Sequence, residues 1–134
     1  MSTVTYGTLE LDPAPGWEAE TDEYCATVCH PDGVGALQLS SFQKQDGTLI
    51  SRDDLLQATQ LSEETIPHLA EQVWGDFHGF QLVYSEEETF WRRWWLSNGC
   101  TLAFVTYNCG LQDREVELEP VNKMLATLRQ IRQA

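Results

Sequence analysis

Positive charge is what this sequence has least of. Its 134 residues carry 8 Lys and Arg against 21 Asp and Glu, a formal net charge of −13. Such a field repels phosphate backbones and anionic bilayers, which are held by cationic side chains. Nucleic acid and membrane are therefore not expected partners. The deficit is uneven. Residues 1–91 hold 17 acids and two bases, Lys44 and Arg52, a net of −15; residues 92–134 hold six bases and four acids, a net of +2. The same acidity keeps a protein dispersed in water, and it would attract a basic protein.

Other absences narrow the field further. No apolar run approaches the roughly 20 residues that span a bilayer. Met1 to Glu10 has neither the basic start nor the apolar stretch of a signal peptide, so the expected compartment is the cytoplasm. There is no glycine-rich phosphate loop: Gly33-Val34-Gly35 opens a strand and lacks the following glycine and lysine. His30, His68 and His78 have no metal-ligand spacing, and Asp76 and His78 flank Phe77 without a nucleophile. Asp53-Asp54, Glu63-Glu64 and Glu86-Glu87-Glu88 lack the alternating ligands of a calcium loop. Cys25 and Cys29 lie on an expected strand, where four residues span about 13 Å, too far to share one ion. Cys100 and Cys109 sit at opposite ends of another expected strand. No catalytic, metal or cofactor residue is assigned, and the expected class is non-enzymatic.

What is present is a globular composition, 42% hydrophobic and 22% charged, long enough for a single domain over 1–134 with its own core. Thr3 to Leu11 reads as a strand with an irregularity at Gly7. Asp12 to Gly16 is a turn, since two prolines and a glycine cannot continue a ladder. Trp17 starts a short extended piece. Glu23 to His30 and Val34 to Gln43 alternate like strands and flank the turn Pro31-Asp32-Gly33, which makes a hairpin. Ser51 and Asp54 form a helix-start box for a helix near 52–61. Pro67 breaks the pattern and leaves a shorter helix near 67–73, ended by Gly75.

A meander follows. Phe80 to Ser85, Thr89 to Leu96 and Cys100 to Tyr107 are strands, joined by Glu86-Glu87-Glu88 and by Asn98-Gly99. Asn-Gly suits a type I′ turn, because both residues tolerate positive φ. That turn places Trp95 opposite Leu102, Arg93 opposite Phe104 and Trp91 opposite Thr106. Phe90, Arg92, Trp94 and Leu96 lie on the other face. Both faces are apolar, so both are expected to be covered, at least in part. A helix over 120–130 closes the chain, with Val121, Met124, Leu125, Leu128 and Ile131 in one stripe. Lys123, Arg129 and Arg132 lie toward its negative end. The expected class is α+β, a curved, mostly antiparallel sheet with helices packed on it.

This order of elements resembles the PsbP-like sandwich, a superfamily that includes DcrB-like bacterial proteins and the Eag-type chaperones of secreted effectors. The resemblance rests on Leu9-Glu10-Leu11 with Pro15-Gly16-Trp17, on Gly79-Phe80, on Phe90 to Trp95, on Leu102 to Tyr107 and on Met124 to Arg129. It implies an α/β/α sandwich and no shared activity.

One row of side chains stands apart. Trp91, Arg93 and Trp95 alternate along a strand and share a face with Phe104. They are either core, with Arg93 reaching to solvent, or a binding surface for a protein partner. A carboxylate of Glu86, Glu87 or Glu88 is the rival partner for Arg93 within the fold. Three functions stay open: a chaperone-like protein sheltering an apolar segment of a secreted effector, an immunity-type protein capping a basic toxin, and a small enzyme or carrier with a pocket beside the sheet. A homodimer is one candidate assembly. The four cysteines are expected to be reduced and mostly buried. The intact mass of unreduced protein should therefore equal that of the fully reduced chain. A deficit of two hydrogens per disulfide would contradict this.

Overall fold

The computed structural model describes residues 3–44 and 46–131. Among them are ten strands and two α-helices, and every strand pairing is antiparallel. The fold is mixed α+β. Its main sheet has seven strands in the order β3-β4-β5-β9-β8-β7-β6. These are β3 Glu18–Thr21, β4 Ala26–Cys29, β5 Gly35–Phe42, β6 Ala70–Trp74, β7 Phe77–Glu86, β8 Thr89–Ser97 and β9 Leu102–Gly110. A smaller sheet joins β1 Val4–Tyr6, β2 Leu9–Leu11 and β10 Arg129–Gln130. Helix α1 is Arg52–Thr59 and α2 is Leu118–Leu125.

Alternation along the central strands builds two apolar faces. On the first, Trp94 and Leu96 of β8 join Val105 of β9 and Leu37 and Leu39 of β5. Leu9 and Leu11 of β2 and Val121, Met124 and Leu125 of α2 belong to the same buried cluster. On the second face, Phe80, Leu82 and Trp95 form a smaller cluster with Leu55 of α1. Hydrophobic burial on this scale is the main driving force for the sheet to form.

Local chemistry explains several boundaries. Ser51 Oγ accepts from the Asp54 N–H at 3.1 Å, and Asp54 Oδ2 accepts from the Ser51 N–H at 2.8 Å, the reciprocal box expected at the start of α1. Gln60 then enters the left-handed region and ends the helix. The expected strand over Thr3 to Leu11 is instead two strands folded back at Gly7, whose φ is +59°. A side chain there would also run into the Ser41 hydroxyl.

The expected helix near 67–73 is corrected too. Pro67 opens a single 3-10 turn, Ile66–His68, and Leu69 is already extended. Ala70 to Trp74 then pairs with β7 through a two-residue turn at Gly75, φ +58°. Glycine is required there because a side chain would collide with the Leu128 carbonyl. The last helix is shorter than the expected 120–130. Thr127 donates to the Met124 carbonyl at 2.7 Å and accepts from the Asp12 N–H at 2.8 Å, which turns the chain back toward β2. Arg129 then pairs with Glu10 at 2.9 Å and Asp12 at 3.0 Å from within β10. Lys123 does lie in the last turn of α2, whereas Arg132 falls outside the described residues.

Asp54 links the α1 cap to acid stability. Its hydrogen bonds from Lys44 and from the Ser51 N–H hold the carboxyl down at about 2. A depressed carboxyl contributes stability that is complete above its ordinary pKa of about 4 and is lost as the pH falls toward about 2. Asp54→Asn should thus melt below the parent chain near neutral pH, with the gap closing over that acid range. A gap independent of pH would rule out this origin.

Candidate functional site

The Asn98-Gly99 loop sets which side chains meet, and it does not form the expected two-residue turn. Asn98 has a negative φ and uses its side chain instead, with Oδ1 accepting from the Cys100 N–H at 3.0 Å and the Thr101 N–H at 2.8 Å. This Asx geometry makes a four-residue loop closed by Ser97 opposite Leu102. The register is therefore shifted by two. Trp95 lies opposite Phe104, Arg93 opposite Thr106 and Trp91 opposite Asn108, in place of Leu102, Phe104 and Thr106. A shift of two keeps every side chain on its face. The turn with two positive φ values is the other one, at Glu87 (+49°) and Glu88 (+67°).

Helix α1 covers one part of this face and leaves the rest open. Trp95 is only 3% exposed, clustered with Leu55, Phe80 and Leu82. It belongs to the core, which corrects its assignment as a partner contact. Trp91, Arg93 and Phe104 are half-buried. Trp91 stacks on Tyr84 of β7 with ring centroids 6.3 Å apart. Arg93 lies over two rings, its guanidinium carbon 4.8 Å from the Trp95 centroid and 5.5 Å from that of Phe104. Cation–π attraction holds it over the aromatic floor. Among the described residues Arg93 has no ion pair, with Glu86, Glu87 and Glu88 or with any other acid.

Two adjoining hollows meet at Tyr84 and Arg93. One, of about 440 Å³, extends over Trp91, Phe104, Gln38 and Tyr24. The other, of about 500 Å³, runs between Leu82 and Leu61, Thr65 and His68. A third hollow of about 540 Å³, at Glu88, Gly110, Leu111, Gln112 and Arg114, has no aromatic wall. The aromatic pair is the stronger candidate, since rigid rings supply contact area at low entropic cost.

The remaining candidates do not converge. His30 sits edge-on to Trp17, His68 lines the second hollow, and His78 is exposed on β7. Among the described residues no three His, Cys, Asp or Glu side chains are grouped to hold a metal ion. All four cysteines are free; contrary to expectation only Cys109 is buried, and Cys100 is exposed in the Asn98 loop. Burial pushes the Cys109 thiol up, the opposite of what a nucleophile needs.

Two buried polar groups on the covered face were not legible as such in the sequence. Arg92 is 5% exposed, stacks over Trp94 at 4.5 Å and donates to Asn122 Oδ1 at 2.8 Å. Burial lowers its pKa to about 10. Glu117 accepts from the Tyr107 hydroxyl at 2.7 Å and ties the turn at Val34 to the start of α2. Both hold the scaffold together behind the aromatic face.

No family model matches the chain, and no curated protein matches it. Solved structures do. A crystal structure from Bacteroides thetaiotaomicron aligns with a TM-score of 0.68 at 14% identity, over 94% of this chain. The chain spans under half of that protein, 46% of its length. LpqN of Mycobacterium tuberculosis, a protein involved in cell envelope biogenesis, aligns with a TM-score of 0.62 at 12% identity, over 98% of this chain and 90% of LpqN. At these identities the likeness is one of fold. No helix among the described residues is long and apolar enough to cross a membrane.

The division of the aromatic row is directly measurable. Trp95→Ala should cost about 3–5 kcal/mol in urea unfolding, as for a fully buried tryptophan, whereas Trp91→Ala should cost about 1 kcal/mol. Equal losses would contradict the partial cover.

Proposed function

We propose that this is a non-enzymatic binding protein that holds a segment of a protein partner on the open half of its aromatic sheet face. One observation carries the reading. Trp91, Tyr84 and Phe104 form a half-exposed aromatic floor, and Arg93 on that floor has no carboxylate partner among the described residues. A guanidinium with free N–H groups beside aromatic rings is a typical interface anchor. Trp95 supports the floor from beneath. The architecture is read as a PsbP-like α/β/α sandwich, and the chaperone-containing members of that superfamily favour a chaperone-like role toward a secreted effector. The reading keeps the protein in the cytoplasm, which suits free thiols.

A second reading has its own observation. All four residues of β3 are exposed, with Glu18 and Glu20 among them, and Asp22 and Glu23 follow. An acidic edge of this kind fits an immunity-type protein that caps a basic toxin. A pocket enzyme or small-molecule carrier is supported less, because the hollows are open and their walls hold no catalytic pair.

The two binding readings separate by mutation. Trp91→Ala and Arg93→Ala, each with its melting temperature checked, should stay folded and lose capture of partner proteins from native lysate. Glu18→Gln with Glu20→Gln should leave capture intact. If the acidic-edge variant alone loses the partner, the groove reading is wrong. If no variant changes capture, both readings are.

A further inference from the structure

The outer edge of β7 is open over half its length. Its pairing with β6 ends at Ala70 opposite Gln81, and the chain before Ala70 turns away through the 3-10 turn at Ile66–His68. Leu82 to Glu86 pair with β8 on one side and, among the described residues, with no strand on the other. Hairpin geometry tells which groups are left over. Trp74 with Phe77, and Glu86 with Thr89, each close a two-residue turn. The pair that closes such a turn exchanges its backbone hydrogen bonds with each other. Phe77, Gly79 and Gln81 thus direct their N–H and C=O groups to β6, and the even-numbered residues direct theirs to β8. Val83 and Ser85 continue the first series beyond the end of β6. No backbone or side-chain hydrogen bond to their main-chain groups is found among the described residues.

An unpaired edge of this kind is a template for another strand, and folded proteins usually blunt it with charge, proline or a bulge. The opposite edge of the sheet is blunted in that way, by Glu18 and Glu20 on β3. Leu82 to Ser85 carry no charge and no proline, and Val83 is 51% exposed. The second hollow runs beside them, with Leu61 and Tyr84 as apolar walls. Carboxylates lie close by in the chain: Glu63 and Glu64 in the exposed turn between Leu61 and Thr65, which line that hollow, and Glu86, Glu87 and Glu88 at the hairpin. A second copy would bring the same carboxylates and a further net charge of −13 against them.

We propose that the β7 edge at Val83 and Ser85 takes an extended peptide segment of the partner as an added strand, apolar at alternate positions and flanked by Lys or Arg. This rests on the groove reading and adds the mode of binding and the chemistry of the segment. Main-chain hydrogen bonds would give affinity, and alternate side chains would enter the hollow beside Tyr84.

The test uses the whole chain and a fluorescein-labelled peptide, Lys-Lys-Val-Thr-Val-Thr-Val-Lys-Lys, with a twin in which every Lys is Glu. Val83→Pro removes an N–H that the fold does not use, and proline is tolerated on an edge strand facing solvent. The Lys peptide should bind the parent chain, and the Val83 and Ser85 amides should become protected from hydrogen exchange. Val83→Pro should fold normally and bind about tenfold more weakly or worse, the loss expected for one or two main-chain hydrogen bonds. The Glu twin should not bind. If Val83→Pro does not fold, Ser85→Pro and the amide protection decide in its place. Unchanged affinity in the proline variant, or unprotected amides, overturns strand addition while leaving the groove reading to its own test on Trp91 and Arg93. No binding of the Lys peptide, or equal binding of its Glu twin, overturns the proposed segment. A concentration-dependent dimer abolished by Val83→Pro would make a second copy the occupant and overturn the proposal.

Discussion

The central sheet is apolar on both faces, and the chain supplies very unequal cover for them. The first face receives the small sheet and α2. The second receives α1, which has eight residues, with Ile50, Leu61 and Leu69 of the flanking segments beside it. A helix of that length is about 12 Å long and about 10 Å wide, whereas seven strands about 4.8 Å apart span about 29 Å. One helix therefore cannot close the second face. It buries Trp95 with Phe80 and Leu82 and leaves Trp91, Arg93 and Phe104 at its margin. The open aromatic floor is thus a consequence of element lengths.

Arg93 shows how such a floor is tolerated without a partner. A guanidinium among apolar side chains is costly unless something satisfies it. Here two aromatic faces do so in part, and half-burial leaves its remaining N–H groups to water. Arg92, one residue earlier and on the opposite face, illustrates the alternative. It is enclosed, its pKa is lowered by burial, and it depends on Asn122 and the Trp94 ring. Adjacent arginines on one strand thus experience different environments because successive strand residues point to opposite faces.

Face assignments were legible in the sequence because they depend only on a period of two. Trp91, Arg93 and Trp95 share a face under either register, so the shift at Asn98 changed their partners and not their surface. Exposure was not legible, since it depends on where α1 ends. The cap at Ser51 was readable from four residues; the left-handed Gln60 that stops the helix was not. Ala70 to Trp74 and Arg129-Gln130 are not legible as strands for a related reason. Their local patterns suit helices, and it is pairing with β7 and β2 that makes them strands. The long-range pairs of Arg129 with Glu10 and Asp12 have no local signal at all. Composition suggested buried thiols, but the Asn98 loop carries Cys100 outward.

Hydroxyl-radical footprinting of the free protein, read residue by residue by mass spectrometry, tests the half-covered face most directly. The expected result is ready oxidation of Trp91 and Tyr84, with Trp94 and Trp95 protected. Protection of Trp91 equal to that of Trp95 in the monomer would mean that the face is closed, and would contradict the account.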